Sequence, residues 1–320
     1  MVKMLGELPF LFNPEAETAL VIGFGIGITS STIAWHPVKR LDCVEICPGV
    51  KPAAKYFARF NRNIVHNPKV NFIAGDGRNY LLLTDKKYDI ISCDPTHPAL
   101  GCGSLYTLEF FRLCKAHLNQ NGVIAQYLPL HKLSNEEFKT AIKTFATVFP
   151  HTTIWLAHSH GILLGTPKKA TIDFQKLKNV LFELADDILN DPYLFASSIM
   201  LDEDAVKELT QAHPINTDNR PYLEYFTPQS IIPENWTTNL KSLISLRSNP
   251  QNVIKNIEDS EKFFRYLRGQ EYFLKGLIAQ NRRDIKGVIH FFKKALEVNP
   301  ENNEIEIFLH HILSQYYPKK

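Results

Sequence analysis

No run of apolar residues approaches the roughly 18 that a bilayer-spanning helix needs, and no apolar leader core follows Met1. A membrane span and a secretory route are therefore not expected, and the sequence reads as soluble and cytoplasmic. Cysteine is scarce. Five in 320 residues, an odd number without dense spacing, argue against a disulfide framework and fit a reducing compartment. Cys43 and Cys47 stand four apart with no second pair, so a zinc site is not expected either. Charge of one sign is lacking as well: the formal net charge is only +3, and the cationic residues are scattered apart from short pairs such as Lys168-Lys169 and Lys319-Lys320. That argues against a nucleic-acid partner. What the chain does supply is apolar mass, 44% of its residues, enough for one α/β domain and an appendage.

Between Ala19 and about Thr166, short β-like runs alternate with helical patterns: "ALVIGF", "RLDCVEI", "VNFIAG", "YDIISCD" and "GVIAQYL", then "TTIWLA" and "GILLGT" close together. Five alternating units followed by a hairpin predict a doubly wound, mainly parallel Rossmann-like sheet. The organisation expected is an N-terminal remnant at 1–18, the α/β domain at 19–167, a helical and proline-rich extension at 168–258 packed on it, and a helical segment at 259–320. In that last segment Tyr272, Gly276, Phe292, Ala295 and Pro300 fall where a tetratricopeptide unit places its aromatic, small, aromatic, small and proline residues. An ordinary helical hairpin is the alternative. One such unit cannot bury both faces, so a helix from about Asn303 to Tyr317 is expected to cap it, and contact with a protein partner or a second copy is its expected role.

The stretch "TALVIGFGIGIT" reads as strand, tight turn and helix, with glycines at Gly23, Gly25 and Gly27. Ile28 stands where a G-x-G-x-x-G fingerprint has its third glycine, which argues against a standard dinucleotide site. Glu45 ends the second strand about 20 residues on, the place from which a carboxylate accepts ribose hydroxyls; a structural strand-end acid is the alternative. In "FIAGDGRNYL", Asp76 either accepts from an exocyclic adenine amine or orders the loop as an Asx-turn. Asp94, in "YDIISCDPTHP", lies at the same sheet edge. Four successive strand ends thus carry glycine-rich backbone, Glu45, Asp76 and Asp94, at the edge where open α/β sheets bind ligands.

These stretches, with "CVEICPGV", "GSLYTLEFFRLCKAHLNQNGVIAQYLPLH" and "NTDNRPYLEYFTP", resemble the spermidine synthase family of aminopropyltransferases over roughly Met4 to Pro228, especially the branch often fused to a transmembrane domain. The resemblance implies a methyltransferase-like sheet holding an adenosyl sulfonium: decarboxylated S-adenosylmethionine or S-adenosylmethionine, with methylthioadenosine as product, and no metal. Gly23, Gly25 and Gly27 would line it, Glu45 would hold the ribose, and Asp76 with Gly77 would meet the adenine. Asp94 and His97 are the implied catalytic pair, and Asp94 and Tyr106 would touch the amine acceptor, although Tyr106 has packing as its alternative.

Three departures from the family accompany the likeness. Ile26 replaces an acid that meets the aminopropyl ammonium. His97 replaces the second acid of Asp-x-x-Asp-Pro, and "MLGELPFLFNP" begins just after the place of the hairpin that closes the family's site. A neutral histidine near pH 7 can accept a proton but gives a polyamine no fixed negative charge. Three functions are open at this point: aminopropyl transfer with altered or weak activity, methyl transfer from S-adenosylmethionine, and a non-catalytic nucleoside-binding interaction module.

Overall fold

The computed structural model describes residues 1–98, 101–182, 189–225 and 227–316. The expected end of the last helix at Tyr317, the Lys319-Lys320 pair and Phe226 of "NTDNRPYLEYFTP" lie outside these residues. The elements, in chain order, begin with α1 (Val2–Phe12), β1 (Thr18–Ile22), α2 (Ile28–Trp35) and β2 (Arg40–Glu45), then the short helical turns α3 (Val50–Ala53) and α4 (Ala58–Asn61). The sequence continues through β3 (Val70–Ala74), α5 (Gly77–Leu83), β4 (Tyr88–Cys93), α6 (Leu108–Ala116), β5 (Leu118–Leu128), α7 (Asn135–Val148), β6 (His151–Ala157) and β7 (His160–Thr166). Beyond these come β8 (Ile172–Asp173), α8 (Phe174–Phe182), α9 (Pro192–Ser197), β9 (Ile199–Leu201), α10 (Glu203–Thr210), α11 (Asn235–Ser245), β10 (Ile254–Lys255), α12 (Ser260–Asn281), α13 (Ile285–Val298) and α14 (Asn303–Tyr316).

The chain divides into two compact units, neither of them contiguous: Met1–Ala170 with Met200–Ser248, and Thr171–Ile199 with Asn249–Lys320. The expected extension at 168–258 is thus shared between both, because helical periodicity is local whereas membership of a unit depends on distant pairings.

The first unit is the doubly wound α/β fold. Its sheet runs β3-β2-β1-β4-β5-β7-β6-β9, with β3, β2, β1, β4 and β5 parallel and β7 antiparallel to both β5 and β6. Near-continuous apolar runs such as Ala19 to Ile22 and Ile90, Ile91 and Cys93 are what strands covered on both faces require, and these residues are buried. β3 has only half-buried and exposed positions, as an edge strand does. The order reverses between β1 and β4, which opens a crevice at their carboxyl ends.

Within residues 1–18, expected as a remnant, Val2–Phe12 form α1. Its Leu5, Leu8 and Phe10 are buried, Phe10 stacks on His36 at a centroid distance of 3.7 Å, and the Glu7 carboxylate meets His36 Nε2 at 2.8 Å. Asp42, fully buried in β2, has no solvent to stabilise its charge. Burial pushes its pKa up, but hydrogen bonds from Asn71, Tyr88 and Lys86 outweigh that and hold it below the usual carboxylate range.

The second unit pairs β8 with β10 in parallel, Ile172 opposite Ile254, and builds a helical layer. Tyr193 packs at 5.7 Å from Tyr266, whose hydroxyl donates to Asp191. In the helical hairpin of α12 and α13, Gly276 lies so close against the Phe292 ring that no side chain fits, and Phe273 stacks on Phe292 at 5.3 Å. No helix among the described residues is long and apolar enough to cross a membrane.

Candidate functional site

All nine residues singled out in the sequence lie in the first unit, and most stand at the carboxyl ends of β1, β2, β3 and β4. The turn after β1 runs through three glycines at positive φ: Gly23 at 90°, Gly25 at 52° and Gly27 at 82°. Only glycine holds this path cheaply, and at Gly23 a Cβ would stand 2.6 Å from the Asp94 carbonyl oxygen. Gly25 is different, because a Cβ there meets nothing within 4 Å. Its backbone faces open space, the condition for close approach by a ligand.

Glu45 is buried at the end of β2 and holds this turn. Its Oε2 accepts from the backbone N–H of Phe24 at 2.8 Å and of Gly25 at 3.3 Å, while Oε1 accepts from Cys47 N–H at 2.9 Å. A carboxylate has about four acceptor positions, so three amides leave capacity for a hydroxyl donor. The sequence left Glu45 as either a ribose acceptor or a structural strand-end acid and gave no sign that it clamps the glycine turn, since those amides reach it only through the pairing of β1 with β2.

Asp76 caps α5, its Oδ1 accepting from Asn79 N–H at 2.8 Å. That is the loop-ordering geometry, and it fixes the carboxylate at the end of β3. Gly77 has no room for a side chain because Ile22, the last residue of β1, occupies the space. Arg78 next to it donates to Asp218 at 2.8 Å, which ties α5 to the stretch "NTDNRPYLEYFTP".

Asp94 follows β4, its N–H donating to the Ile22 carbonyl at 2.9 Å and its Oδ2 accepting from the Thr29 hydroxyl at 2.9 Å. Burial pushes its carboxyl up to about 6, against the stabilising Thr29 bond. It is therefore poised to change protonation near neutrality, as acid-base groups are. His97 is buried, with Nε2 3.0 Å from the His131 carbonyl oxygen, and burial lowers its pKa. Tyr106 is fully buried. Its hydroxyl donates to the Tyr127 carbonyl at 2.9 Å and Asn216 donates to its own carbonyl at 3.0 Å, a packing role that fixes the end of β5.

Thr29, Tyr127 and His131 were not singled out in the sequence. "AQYLPLH", which closes the fifth strand and runs on past it, was the available signal for the last two, because that strand ends at the same edge as Asp94. Among the described residues no group of three or more His, Cys, Asp or Glu has the arrangement to hold a metal ion.

Residues 1–159 match the family described as Spermine/spermidine synthase domain. A polyamine aminopropyltransferase of Buchnera aphidicola is 26% identical over 223 residues, 66% of this chain and 78% of that protein. A spermidine synthase solved with the transition-state analogue AdoDATO is 25% identical, with a TM-score of 0.49, over 52% of this chain and 60% of that one. The chain therefore spans less than two thirds of that solved protein. A probable spermidine synthase from Corynebacterium glutamicum, 17% identical, superposes with a TM-score of 0.51 over 68% of this chain and 79% of that one, a likeness of fold alone.

Proposed function

We propose that the chain is an enzyme of the transferase class, since residues 1–159 match the Spermine/spermidine synthase domain and the relatives it resembles are named aminopropyltransferases. We propose that it binds an adenosyl sulfonium or thioether compound and transfers an aminopropyl group to an amine, with weak activity on the diamine that ordinary spermidine synthases use. The observation that carries this reading is the Glu45 carboxylate set into the open glycine turn, with Asp76 and Asp94 at the next strand ends along the same edge.

The residues fit such a ligand. Gly25 leaves space where a side chain would stand, and Glu45 retains acceptor capacity for a ribose hydroxyl. Asp76 stands where the adenine would lie. When bound, the sulfonium supplies an electrophilic propyl carbon. Asp94 does the rest of the work: as a carboxylate it attracts the acceptor amine and takes the proton that the amine loses. His97, buried and bonded toward the His131 carbonyl, shapes the acceptor side.

Methyl transfer is the second reading, and one observation favours it. Ile26 is 39% exposed at the position where the family's acid meets the aminopropyl ammonium, so nothing there selects the decarboxylated compound. Calorimetry with decarboxylated S-adenosylmethionine, S-adenosylmethionine and methylthioadenosine separates the two. Preference for the decarboxylated form supports aminopropyl transfer, and preference for S-adenosylmethionine supports methyl transfer. Glu45→Gln keeps the shape but removes the charge, and is expected to weaken all three by roughly 1.5–3 kcal/mol, the worth of a charge-assisted hydrogen bond. Unchanged affinity in the folded variant would exclude Glu45 from the ligand.

A further inference from the structure

The glycine turn is gripped from two sides. Glu45 takes the Phe24 and Gly25 amides, and Asn61, the last residue of α4, takes a carbonyl: its Nδ2 donates to Ile26 O at 2.8 Å. The same Nδ2 donates to Ala54 O at 2.9 Å, and Oδ1 accepts from the Asn63 N–H at 3.0 Å. Gly27 N–H donates to Phe24 O at 2.8 Å. The peptide that joins Ile26 to Gly27 is therefore fixed at its oxygen by Asn61 and at its nitrogen by the turn itself.

Strained backbone follows Asn61. Arg62 and Asn63 both hold left-handed conformations, at φ of 51° and 54°, which residues with a side chain adopt only where their surroundings impose it. This pair ends α4 and brings Ile64 against the turn, with its Cγ2 2.7 Å from the place a Gly27 Cβ would take. Asn61 and Ile64 thus meet consecutive residues of the turn, one through a hydrogen bond and one through packing. Between them, the Arg62 guanidinium lies 4.0 Å from the centre of the Trp35 ring, at the end of α2.

The stretch that carries Asn61 is lightly anchored. Across residues 46–63 only Ala54 and Asn61 are buried, while Tyr56, Phe57 and Phe60 stand exposed. A segment that removes so little apolar surface from water opens locally before the whole fold does. Its polar anchor is the side chain that holds Ile26, so opening the segment releases the turn.

We infer that Asn61 is a positioning residue for the adenosyl compound: it sets the Ile26–Gly27 peptide, and with it the exposed Gly25 backbone, and so couples binding at the turn to closure of residues 46–63. This rests on the adenosyl-binding reading above and holds for either transfer chemistry. A ligand that needs the ordered turn binds the closed segment better, and by linkage it must hold that segment closed.

Hydrogen exchange of the full chain, read by mass spectrometry with and without saturating methylthioadenosine, tests the coupling. Ile46 and Cys47 adjoin Glu45, so residues 58–63 are the reporter, with α13 of the second unit as the internal reference. Exchange in 58–63 is expected to slow tenfold or more on binding, and in α13 less than twofold. Asn61→Leu keeps the branched shape and removes the donor. It is expected to weaken methylthioadenosine binding tenfold or more by calorimetry and to abolish the ligand-dependent slowing in 58–63. A merely structural Asn61 would lower the melting temperature of the variant and leave both readouts unchanged. Binding of methylthioadenosine by the unmodified chain without slower exchange in 58–63 overturns the inference, needs no variant, and leaves the adenosyl site standing. Affinity within threefold in folded Asn61→Leu overturns it as well. Failure of methylthioadenosine itself to bind removes the adenosyl reading and this inference together.

Discussion

A carboxyl group that burial lifts to about 6 changes charge just below neutrality, and Asp94 is such a group. Two consequences have opposite signs. The carboxylate is the form that accepts a proton, so kcat/KM is expected to rise with pH, close to tenfold per unit below 6, and to level off above it. Stability moves the other way. Folded Asp94 holds its proton to a higher pH than the ordinary 3.8 of the unfolded chain, so from pH 4 to 6 the native state binds more protons and loses stability as pH rises. Asp94→Asn keeps an acceptor for Thr29 and removes the charge. It is expected to lose the acid limb and roughly 10²- to 10⁴-fold in rate. Its stability at pH 7 is expected to increase, by at most about 3 kcal/mol for a shift of this size and less where water reaches the half-buried group. Denaturant melts at pH 7, set beside a pH–rate profile, check both signs. A flat profile in the unmodified chain would remove Asp94 as the proton acceptor.

At the scale of elements, the turn between β1 and α2 contains glycines with different tasks. Gly77, beside the turn, is a packing glycine: Ile22 fills the place of its side chain, and Gly77→Ala is expected to cost about 1–3 kcal/mol by overpacking. Gly25 faces open space, so Gly25→Ala carries only the strain of a left-handed residue, about 1–2 kcal/mol. Its added methyl group would nonetheless stand where the adenosyl ligand approaches the backbone. Affinity for methylthioadenosine is expected to fall more than tenfold in Gly25→Ala and less than threefold in folded Gly77→Ala. Thermal melts and calorimetry on the two variants separate packing from binding, and equal losses of affinity would contradict this division. The strand, turn and helix were legible because alternating glycines after an apolar run leave few other conformations. The clamp of Glu45 on the Phe24 and Gly25 amides was not, because residues about 20 apart in sequence meet only through the β1–β2 ladder. Nor was the grouping of three histidines: His97, His131 and His160 lie about 30 residues or more apart in the sequence, and the strand order β4-β5-β7 brings them together.

Over the whole molecule, five parallel strands and the closing hairpin could be read from their apolar runs, each of which is local. The division into units could not, since the ladder that joins β8 to β10 pairs Ile172 with Ile254 across most of the intervening chain. A cut after residue 258 would therefore remove α12 from Tyr193 and Asp191, its partners in the second unit, rather than detach a separate appendage. Loosening the second unit from within is the sharper test of independence. Gly276→Val forces two methyl groups into the Phe292 ring, where no space exists, and is expected to destabilise the α12–α13 hairpin by about 1–3 kcal/mol. Glu45, Asp76, Asp94 and the three turn glycines all belong to the first unit, so methylthioadenosine affinity in this variant is expected to stay within twofold. In a melt followed by limited proteolysis, cleavage within α12 or α13 is expected to advance to lower temperature. Methylthioadenosine should protect the first unit's sheet from cleavage without restoring those helices. A tenfold loss of ligand affinity in Gly276→Val would show instead that the adenosyl site depends on the second unit's packing.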